Sequence, residues 1–427
     1  MTPVLVATSL ILYTTAVFYK RSWGVIFILM FLPSYLIRFS LVGVPTTLLE
    51  FFLVILFIAW GWEMLRRERS IWKVYRAIRK GLPGNFFGLA LFWIIAGLLA
   101  TFWSADSIAG LGLWRAYILE PVLFAIVFYF TLGQEPGLKL WSIRVLGIGV
   151  ILIGLVSIFQ LATLIPSPLP WSQEIPPRFS SVFDFPNAVG LLVAPIVALY
   201  FGLLAQLGSL ARHERYFRWA VLFFGLIAIT LAVSEGALLG IAMALVLWAL
   251  LSKQRKKWVA VGLILLALIF AIPQTRDYAI SRLTFSDTSD DVRLRLWQGT
   301  WDMLRANPIT GAGMAGFPAL YDVYRDAAHV ELLQYPHNVV LNFWSEMGAL
   351  GLLLFLLLIL RYYRNVITAY RVAQGQEKAF ALALLLAMTA LLGHGLVDVP
   401  YFKNDLAILF WTLLVFGEYC YIKRAPQ

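Results

Sequence analysis

Long apolar runs, separated by short segments rich in Lys and Arg, make up most of this chain. A bilayer-spanning helix needs about 20 mainly apolar residues. Runs that approach this length lie near 46–62, 85–103, 109–131, 143–166, 188–205, 219–233, 236–251, 258–272, 338–360, 379–397 and 405–421. Two shorter runs, near 3–19 and 22–37, are interrupted at Lys20-Arg21 and at Pro33. The pattern predicts an all-α fold: a polytopic membrane helical bundle of 12 or 13 transmembrane helices, with residues 1–427 as a single integral membrane domain.

Composition excludes a water-soluble globular protein. Of the 427 residues, 61% are hydrophobic and only 13% are charged, whereas soluble domains have roughly half their residues apolar and about a quarter charged. The single cysteine, Cys420, excludes an intramolecular disulfide and a cysteine-based metal site. Because the four histidines are spread along the chain, we expect neither a metal centre nor a cofactor.

The net charge of +11 reports membrane topology. One set of alternate loops holds 24 of the 34 Lys and Arg residues, and such loops face the cytoplasm. The C-terminus is then cytoplasmic, and loops 167–187 and 273–337 are extracytoplasmic. We therefore expect a multi-pass protein of a bacterial cytoplasmic (inner) membrane, with membrane lipid rather than nucleic acid as the partner of its basic residues.

The long outer loop uses arginine without lysine. Its arginines are Arg276, Arg282, Arg293, Arg295, Arg305 and Arg325. Arginine has a planar fork that binds phosphate or carboxylate bidentately, although surface pairs with nearby acids are an equal alternative. Within this loop, Asp291 to Arg305 has the periodicity of an amphipathic helix, which either lies on the membrane surface or caps the bundle. Gly311, Gly313 and Gly316 follow it and predict a flexible turn.

Several ionisable residues lie at or inside predicted membrane segments. His337 lies where the long loop re-enters the membrane and is a candidate acid, base or positioning group, although a lone histidine is more often structural. Carboxylates in a membrane are costly unless paired. The candidates are Glu50, Glu120, Glu235, Glu346 and Asp398, for which pairing with Arg38, Arg115 or a helix end is the alternative.

The shorter outer loop ends in the stretch from Arg178 to Asn187, so another arginine lies on the same side of the membrane as His337. Two outer loops with arginines beside an outer histidine suit an anionic, lipid-linked substrate.

These residues resemble the O-antigen ligase and O-antigen polymerase superfamily over roughly residues 140–400. Arg178 to Asn187 is similar to the family segment Arg-x-x-Gly-Thr-Phe-x-x-Pro-Asn, with Ser181 in place of the glycine and Val182 in place of the threonine. Two further stretches, listed by their key residues, match in order: Arg293 and Trp297 with Pro308, Gly311, Gly313 and Phe317, then His337 and Asn338 with Glu346, Gly348 and Gly351. Ser234-Glu235-Gly236-Ala237 stands where the family has Ser-Arg-Gly-Ala.

The resemblance implies a metal-independent, inverting glycosyl transfer on the outer face of the membrane, in the biosynthesis of lipopolysaccharide or another envelope polysaccharide. The donor would be a glycan on undecaprenyl pyrophosphate, and the acceptor a lipid A core sugar, a protein or another glycan. His337 would act as the base or orienter, and Arg178, Arg293 and Arg295 would bind pyrophosphate, where fixed guanidinium groups stabilise developing charge. Supporting roles are expected for a further set: Asn187, Glu235, Asn338, Glu346 and Asp398. Glu235 replaces an arginine of the family, so any pyrophosphate contact made there would be missing.

Three other functions remain open from the sequence. A polymerase of the same superfamily would differ only in its acceptor, which would be a second lipid-linked repeat. A transporter or flippase of lipid-linked glycans is an alternative of another class, but such proteins often show inverted repeats and broken helices at mid-depth, and we find no repeat. A membrane scaffold is disfavoured because it would not need arginines and His337 on one face.

Overall fold

The structure of the chain is a computed structural model, which describes residues 3–41, 43–271, 288–326 and 333–422 together with Arg276 and Ile280. The helices are α1 Pro3–Tyr19, α2 Arg21–Met30, α3 Leu48–Glu68, α4 Ile71–Gly81, α5 Gly84–Phe102, α6 Ser107–Leu113, α7 Glu120–Gln134, α8 Leu138–Leu161, α9 Pro186–Leu203, α10 Arg212–Leu231, α11 Glu235–Leu251, α12 Arg255–Ala271, α13 Thr288–Ala306, α14 Phe317–Tyr321, α15 Val339–Val372, α16 Gly375–His394 and α17 Asn404–Ile422. A π-helical turn, Trp114–Leu119, joins α6 to α7. Strands β1 Arg38–Leu41 and β2 Val44–Thr47 form an antiparallel hairpin before α3.

The predicted all-α membrane fold is confirmed. Within the described ranges, eight helices are long and apolar enough to cross a membrane, and they are Leu48–Glu68, Gly84–Phe102, Ser107–Gln134, Leu138–Leu161, Pro186–Leu203, Val339–Val372, Gly375–His394 and Asn404–Ile422. The N-terminal run near 22–37 is divided into the ten-residue α2 and a 3-10 helix, Leu32–Leu36. Alone, α2 is about 15 Å long, which is half the thickness of the hydrocarbon core. The parts of the long outer loop at 272–275, 277–279, 281–287 and 327–332, which include Arg282, lie outside the described residues.

The centre of the bundle is built from α9, α16 and α17, whose residues are buried almost throughout. Small residues let these helices approach closely. A Cβ on Gly202 of α9 would lie 2.4 Å from the Cα of Ala383 in α16, and one on Gly240 of α11 would lie 2.2 Å from the carbonyl oxygen of Ala390. Membrane helices associate through such small-residue contacts, since water supplies no hydrophobic drive between them. A Cβ on Gly236 at the start of α11 would lie 2.4 Å from the His394 side chain, so the same close packing joins the end of α16 to the start of α11.

The amphipathic helix predicted at 291–305 is present as α13. Its apolar side chains Leu296, Met303 and Leu304 are fully buried against a small core of their own that includes Phe317 and Tyr321. That face is therefore covered by protein, as expected for a helix that caps the bundle.

The glycine-rich segment after α13 is not the flexible turn that the sequence predicted. A Cβ on Gly311 would lie 2.3 Å from the carbonyl oxygen of Trp344, so the backbones are in direct contact. Opposite this segment, α15 is broken at Gly348, which has φ +65° and ψ −170°. The break exposes backbone groups, and the glycine segment satisfies them: the Ala312 N–H donates to the carbonyl oxygen of Ser345 at 2.8 Å. Glycine is used both in flexible turns and where two backbones approach closely. The spacing of the glycines alone could not distinguish these two uses.

Candidate active site

Four predicted site residues form one hydrogen-bonded chain. The Nη2 of Arg178 donates to the Oδ1 of Asn187 at 2.7 Å, and the Nδ2 of Asn187 approaches the Oδ2 of Asp398 at 3.4 Å. The Oδ1 of Asp398 lies 3.2 Å from the Nδ1 of His337. The structure thus connects a guanidinium group to an imidazole through one amide and one carboxylate, although the four residues come from three separate segments.

Asp398 lies in the turn between α16 and α17, with its side chain only 2% exposed. Burial alone would raise the pKa of this carboxyl. The hydrogen bond and charge of His337, the charge of His394 and the backbone N–H of Val399 outweigh burial and lower the pKa of Asp398 to about 2. The carboxylate is therefore ionised at neutral pH, so it accepts from His337 and Nδ1 carries the proton. In the neutral form of His337, the lone pair is then on Nε2.

The backbone around His337 is held in an unusual conformation. His337 has φ +47°, in the left-handed region. The indole Nε1 of Trp297 donates to the carbonyl oxygen of Pro336 at 2.9 Å, and the Tyr335 ring lies 4.5 Å from the His337 ring, measured between centroids. The His337 side chain is 25% exposed, so the imidazole is both fixed and accessible. Trp297, which the sequence analysis placed only on an amphipathic face, is therefore a positioning residue.

Asn338 joins the start of α15 to the segment that carries Asp398. Its Oδ1 accepts from the backbone N–H groups of Val340 and Leu341, which caps the helix. Its Nδ2 donates to the carbonyl oxygen of Leu396 at 3.0 Å. This double contact fixes the distance between His337 and Asp398, so Asn338 is placed for a structural role beside the histidine.

The loop that carries Arg178 is held against α8 by two hydrogen bonds. Gln160 accepts from the backbone N–H of Ser181 and donates to its carbonyl oxygen, both at 2.9 Å. Ser181, which stands where the resembling family has glycine, has φ +53°, a conformation that glycine adopts at least cost. The guanidinium of Arg178 also donates from Nε to the carbonyl oxygen of Ala232 and lies over the Trp171 ring.

Charges around Arg178 come from both outer loops and from α11. Burial lowers the pKa of Arg178, and the charge of Arg293 lowers it further, whereas Glu174 and Glu235 raise it. Arg293 and Glu235 thus lie within electrostatic range of Arg178. The glutamate that replaces the family arginine partly offsets the positive charge at this position.

Two predicted residues lie apart from the hydrogen-bonded chain. The Nη1 of Arg295 lies 2.7 Å from the Oδ2 of Asp326 in a half-exposed ion pair. Glu346 accepts from the backbone N–H of Ala315 at 2.7 Å and so anchors the glycine-rich segment. Glu346 borders a separate polar cavity.

That polar cavity has a volume of about 560 Å³ and shares Tyr335 with the surroundings of His337. In its wall, the Nη2 of Arg115 lies 2.8 Å from Glu50, and the Nε of Arg115 lies 3.4 Å from Glu120. Glu50 and Glu120 are thus paired with Arg115, as in the alternative interpretation of these two acids. Lys403 also lies in the wall, but the sequence analysis did not select it as a candidate. Its position as a lysine in an outer segment was the signal that could have identified it.

Over the described part of the chain, no group of three or more His, Cys, Asp or Glu residues is placed to hold a metal ion.

Comparison with known proteins gives two matches. Residues 220–356 match a family model described as O-antigen ligase. The O-antigen ligase of Salmonella typhimurium (strain LT2) is 32% identical over 141 residues, which cover 28% of this chain and 32% of that protein. The alignment thus spans about a third of the curated relative. Both matches confirm the resemblance to the O-antigen ligase superfamily. The family match includes Glu235, Arg293, Arg295, His337, Asn338 and Glu346, whereas Arg178, Asn187 and Asp398 lie outside it.

Proposed function

We propose that this multi-pass inner-membrane protein is a glycosyltransferase of the O-antigen ligase type. It transfers a glycan from undecaprenyl pyrophosphate to an acceptor hydroxyl on the extracytoplasmic face, with inversion and without a metal ion. The observation that carries this proposal is the chain from Arg178 through Asn187 and Asp398 to His337. It holds an imidazole and a guanidinium group in fixed relation, and these two groups would serve as the base and the anion-binding cation that glycosyl transfer from a pyrophosphate needs.

In the proposed reaction, the Nε2 of His337 takes the proton of the acceptor hydroxyl as the oxygen attacks the anomeric carbon. The bond from that carbon to the pyrophosphate oxygen breaks on the opposite face, so one displacement inverts the configuration. Ionised Asp398 stabilises the imidazolium that forms. General-base catalysis of this kind contributes roughly 10²–10⁴-fold to rates.

The departing pyrophosphate gains negative charge, which Arg178 would stabilise together with Arg293, whose charge acts on Arg178 from the other outer loop. Arg178 is held by Asn187 and Ala232, so its guanidinium does not need to reorganise when the charge develops. Arg295 is assigned a minor role because Asp326 pairs with it.

The test uses purified protein and a purified lipid-pyrophosphate glycan. We expect His337→Ala to abolish transfer in protein that still folds, as judged by a cooperative melting transition, and Arg178→Ala and Arg293→Ala to weaken donor binding or turnover. Arg295→Ala serves as the matched outer arginine control and is expected to retain most of the activity. Wild-type rates in the His337 variant would reject the base assignment, and normal kinetics in both arginine variants would reject pyrophosphate binding.

The same reaction separates ligase from polymerase. A ligase moves the glycan to a new carrier in one step, so the gel shows a single shift. A polymerase adds repeat to repeat and gives a ladder of products, which would replace the ligase assignment by the polymerase one.

A further inference from the structure

The polar cavity beside His337 has a chemical character different from the surroundings of Arg178. Its walls include several aromatic rings, namely Tyr35, Phe39, Tyr117, Phe185, Tyr335 and Phe402, together with polar side chains from the β-hairpin and from α17. Ligand sites in proteins typically combine apolar and aromatic walls with a few polar groups, in volumes of roughly 300–1,000 Å³. The apolar faces of sugar rings fit such walls.

Lys403 is a cation in the wall of this cavity. Its Nζ lies 3.6 Å from the centroid of the Phe185 ring. This buried ammonium has no hydrogen-bond partner among the described residues. A ring face attracts the charge but leaves the N–H donors without acceptors. Burial lowers the pKa of Lys403, while Asp405, Asp398 and Asp184 raise it, yet among the described side chains none of these carboxylates is within 4.0 Å of Nζ.

The carboxylates of the cavity wall, by contrast, already have partners. Glu50 accepts from Arg115 at 2.8 Å, from Asn404 at 3.1 Å and from the Thr47 backbone N–H at 3.2 Å. Glu346 accepts from the Ala315 N–H at 2.7 Å. These acids therefore already have donors, whereas the ammonium of Lys403 lacks an acceptor, which an anionic group of a ligand would supply.

A second unsatisfied atom indicates a hydroxyl-bearing ligand. Asn342 is 1% exposed and lines the cavity, and its Oδ1 has no hydrogen-bond partner within the described structure. Buried polar groups are seldom left unpaired in native proteins. An unpaired acceptor together with an unpaired ammonium fits a ligand that carries both a donor and a negative charge.

We propose that this cavity binds the acceptor glycan through an acidic sugar, with Lys403 contacting its phosphate or carboxylate and Asn342 accepting from one of its hydroxyls. This inference rests on the proposed function, because it assigns the cavity to the acceptor and the surroundings of Arg178 to the donor. It also assigns a chemical class to the acceptor, an acidic sugar, which the transfer reaction by itself does not require.

Binding is measured by calorimetry on the purified full chain with three soluble probes. These are a disaccharide with one phosphate monoester, its counterpart with one uronic acid, and the neutral disaccharide. We expect both acidic probes to bind the wild type at least tenfold more tightly than the neutral one. Lys403→Met, which keeps an apolar stem over Phe185, and Lys403→Ala should reduce that preference to less than twofold. Arg305→Ala, an exposed outer cation over Trp301, should leave it unchanged.

Equal binding of acidic and neutral probes by the wild type, or an unchanged preference in both Lys403 variants, would overturn the inference. Two further probes separate the sources of the anion. If inorganic phosphate binds as tightly as the phosphorylated disaccharide, the cavity does not recognise a sugar. If dioctanoyl phosphatidylglycerol binds more tightly and this binding needs Lys403, the cavity holds a lipid headgroup. Both results overturn the assignment.

The two proposals fail separately. Acidic-sugar preference without any transfer from the lipid donor would reject the glycosyltransferase but keep the cavity's specificity for an acidic sugar. Transfer with no dependence on acceptor charge would keep the enzyme and reject this inference.

Discussion

Replacement of Asp398 by asparagine tests the central link of the proposed site. The side chain volume is nearly unchanged, but the negative charge beside His337 is lost. In addition, if Oδ1 stays opposite His337 and the Val399 N–H, the new NH2 group faces the Nδ2 of Asn187. Two donors would then oppose each other, and the connection to Arg178 would break.

The expected size of the effect follows from the pKa of Asp398. That pKa is lowered from 3.8 to about 2, and each pKa unit corresponds to 1.36 kcal/mol, so the surroundings favour the carboxylate by roughly 2 kcal/mol. That sum includes burial, His394 and the Val399 N–H as well as His337, so only part of it acts when His337 gains a proton, and we expect loss of the carboxylate to lower kcat by about tenfold. The donor KM should change less, because Arg178 keeps its contact with Ala232.

The assay compares kcat and KM for transfer from a purified lipid-pyrophosphate glycan, with melting temperature as the check on folding. Asp302→Asn, an exposed acid on α13, is the matched control and should behave as wild type. A folded Asp398→Asn protein with kcat within twofold of wild type would refute the argument that this carboxylate supports the base.

Two further predictions concern stability. Gly348→Ala should lower the melting temperature markedly, because φ is +65° and the added Cβ would lie 2.2 Å from a backbone carbonyl oxygen. The control Gly262→Ala, where a Cβ meets nothing within 4 Å, should not lower it. Equal melting temperatures of the two variants would contradict the close backbone contact. The folded-state pKa of Asp398 lies below its ordinary value, so its contribution of roughly 2 kcal/mol is complete above about pH 4 and is lost as pH falls toward 2. Acid titration of wild type against Asp398→Asn in detergent measures this difference, and parallel curves would argue against it.

The outer carboxylates illustrate how far sequence reasoning extends. Glu346 lies inside the predicted membrane run 338–360 and Asp398 directly follows the run 379–397, and both were candidates because an unpaired acid there is costly. The structure gives them different partners: a backbone N–H of the glycine-rich segment for Glu346, and His337 with Asn187 for Asp398. The cost of burying a carboxylate identifies such residues from the sequence, but it does not specify which group donates the hydrogen bonds that offset this cost.

The glycines after α13 show the opposite error. Their spacing predicted flexibility, yet Gly311 and Gly313 lie against backbone atoms of other segments. Glycine allows both loose turns and close contacts, so only the position of the neighbouring backbone distinguishes the two. For Gly311 that neighbour is α15 just before its break at Gly348, 37 residues further along the chain, and for Gly313 it is the backbone at the end of α5, around Ala100 and Ser104.

The sequence by itself determined the all-α membrane fold, the approximate positions of the long helices and the candidate residues, because run length and charge are local properties that can be compared directly with the thickness of a bilayer. Only the tertiary structure decided which candidates meet. The link from Arg178 to His337 requires the start of α9, the end of α16 and the start of α15 to converge. That convergence depends on small-residue packing between helices distant in sequence, a non-local property that no single segment encodes.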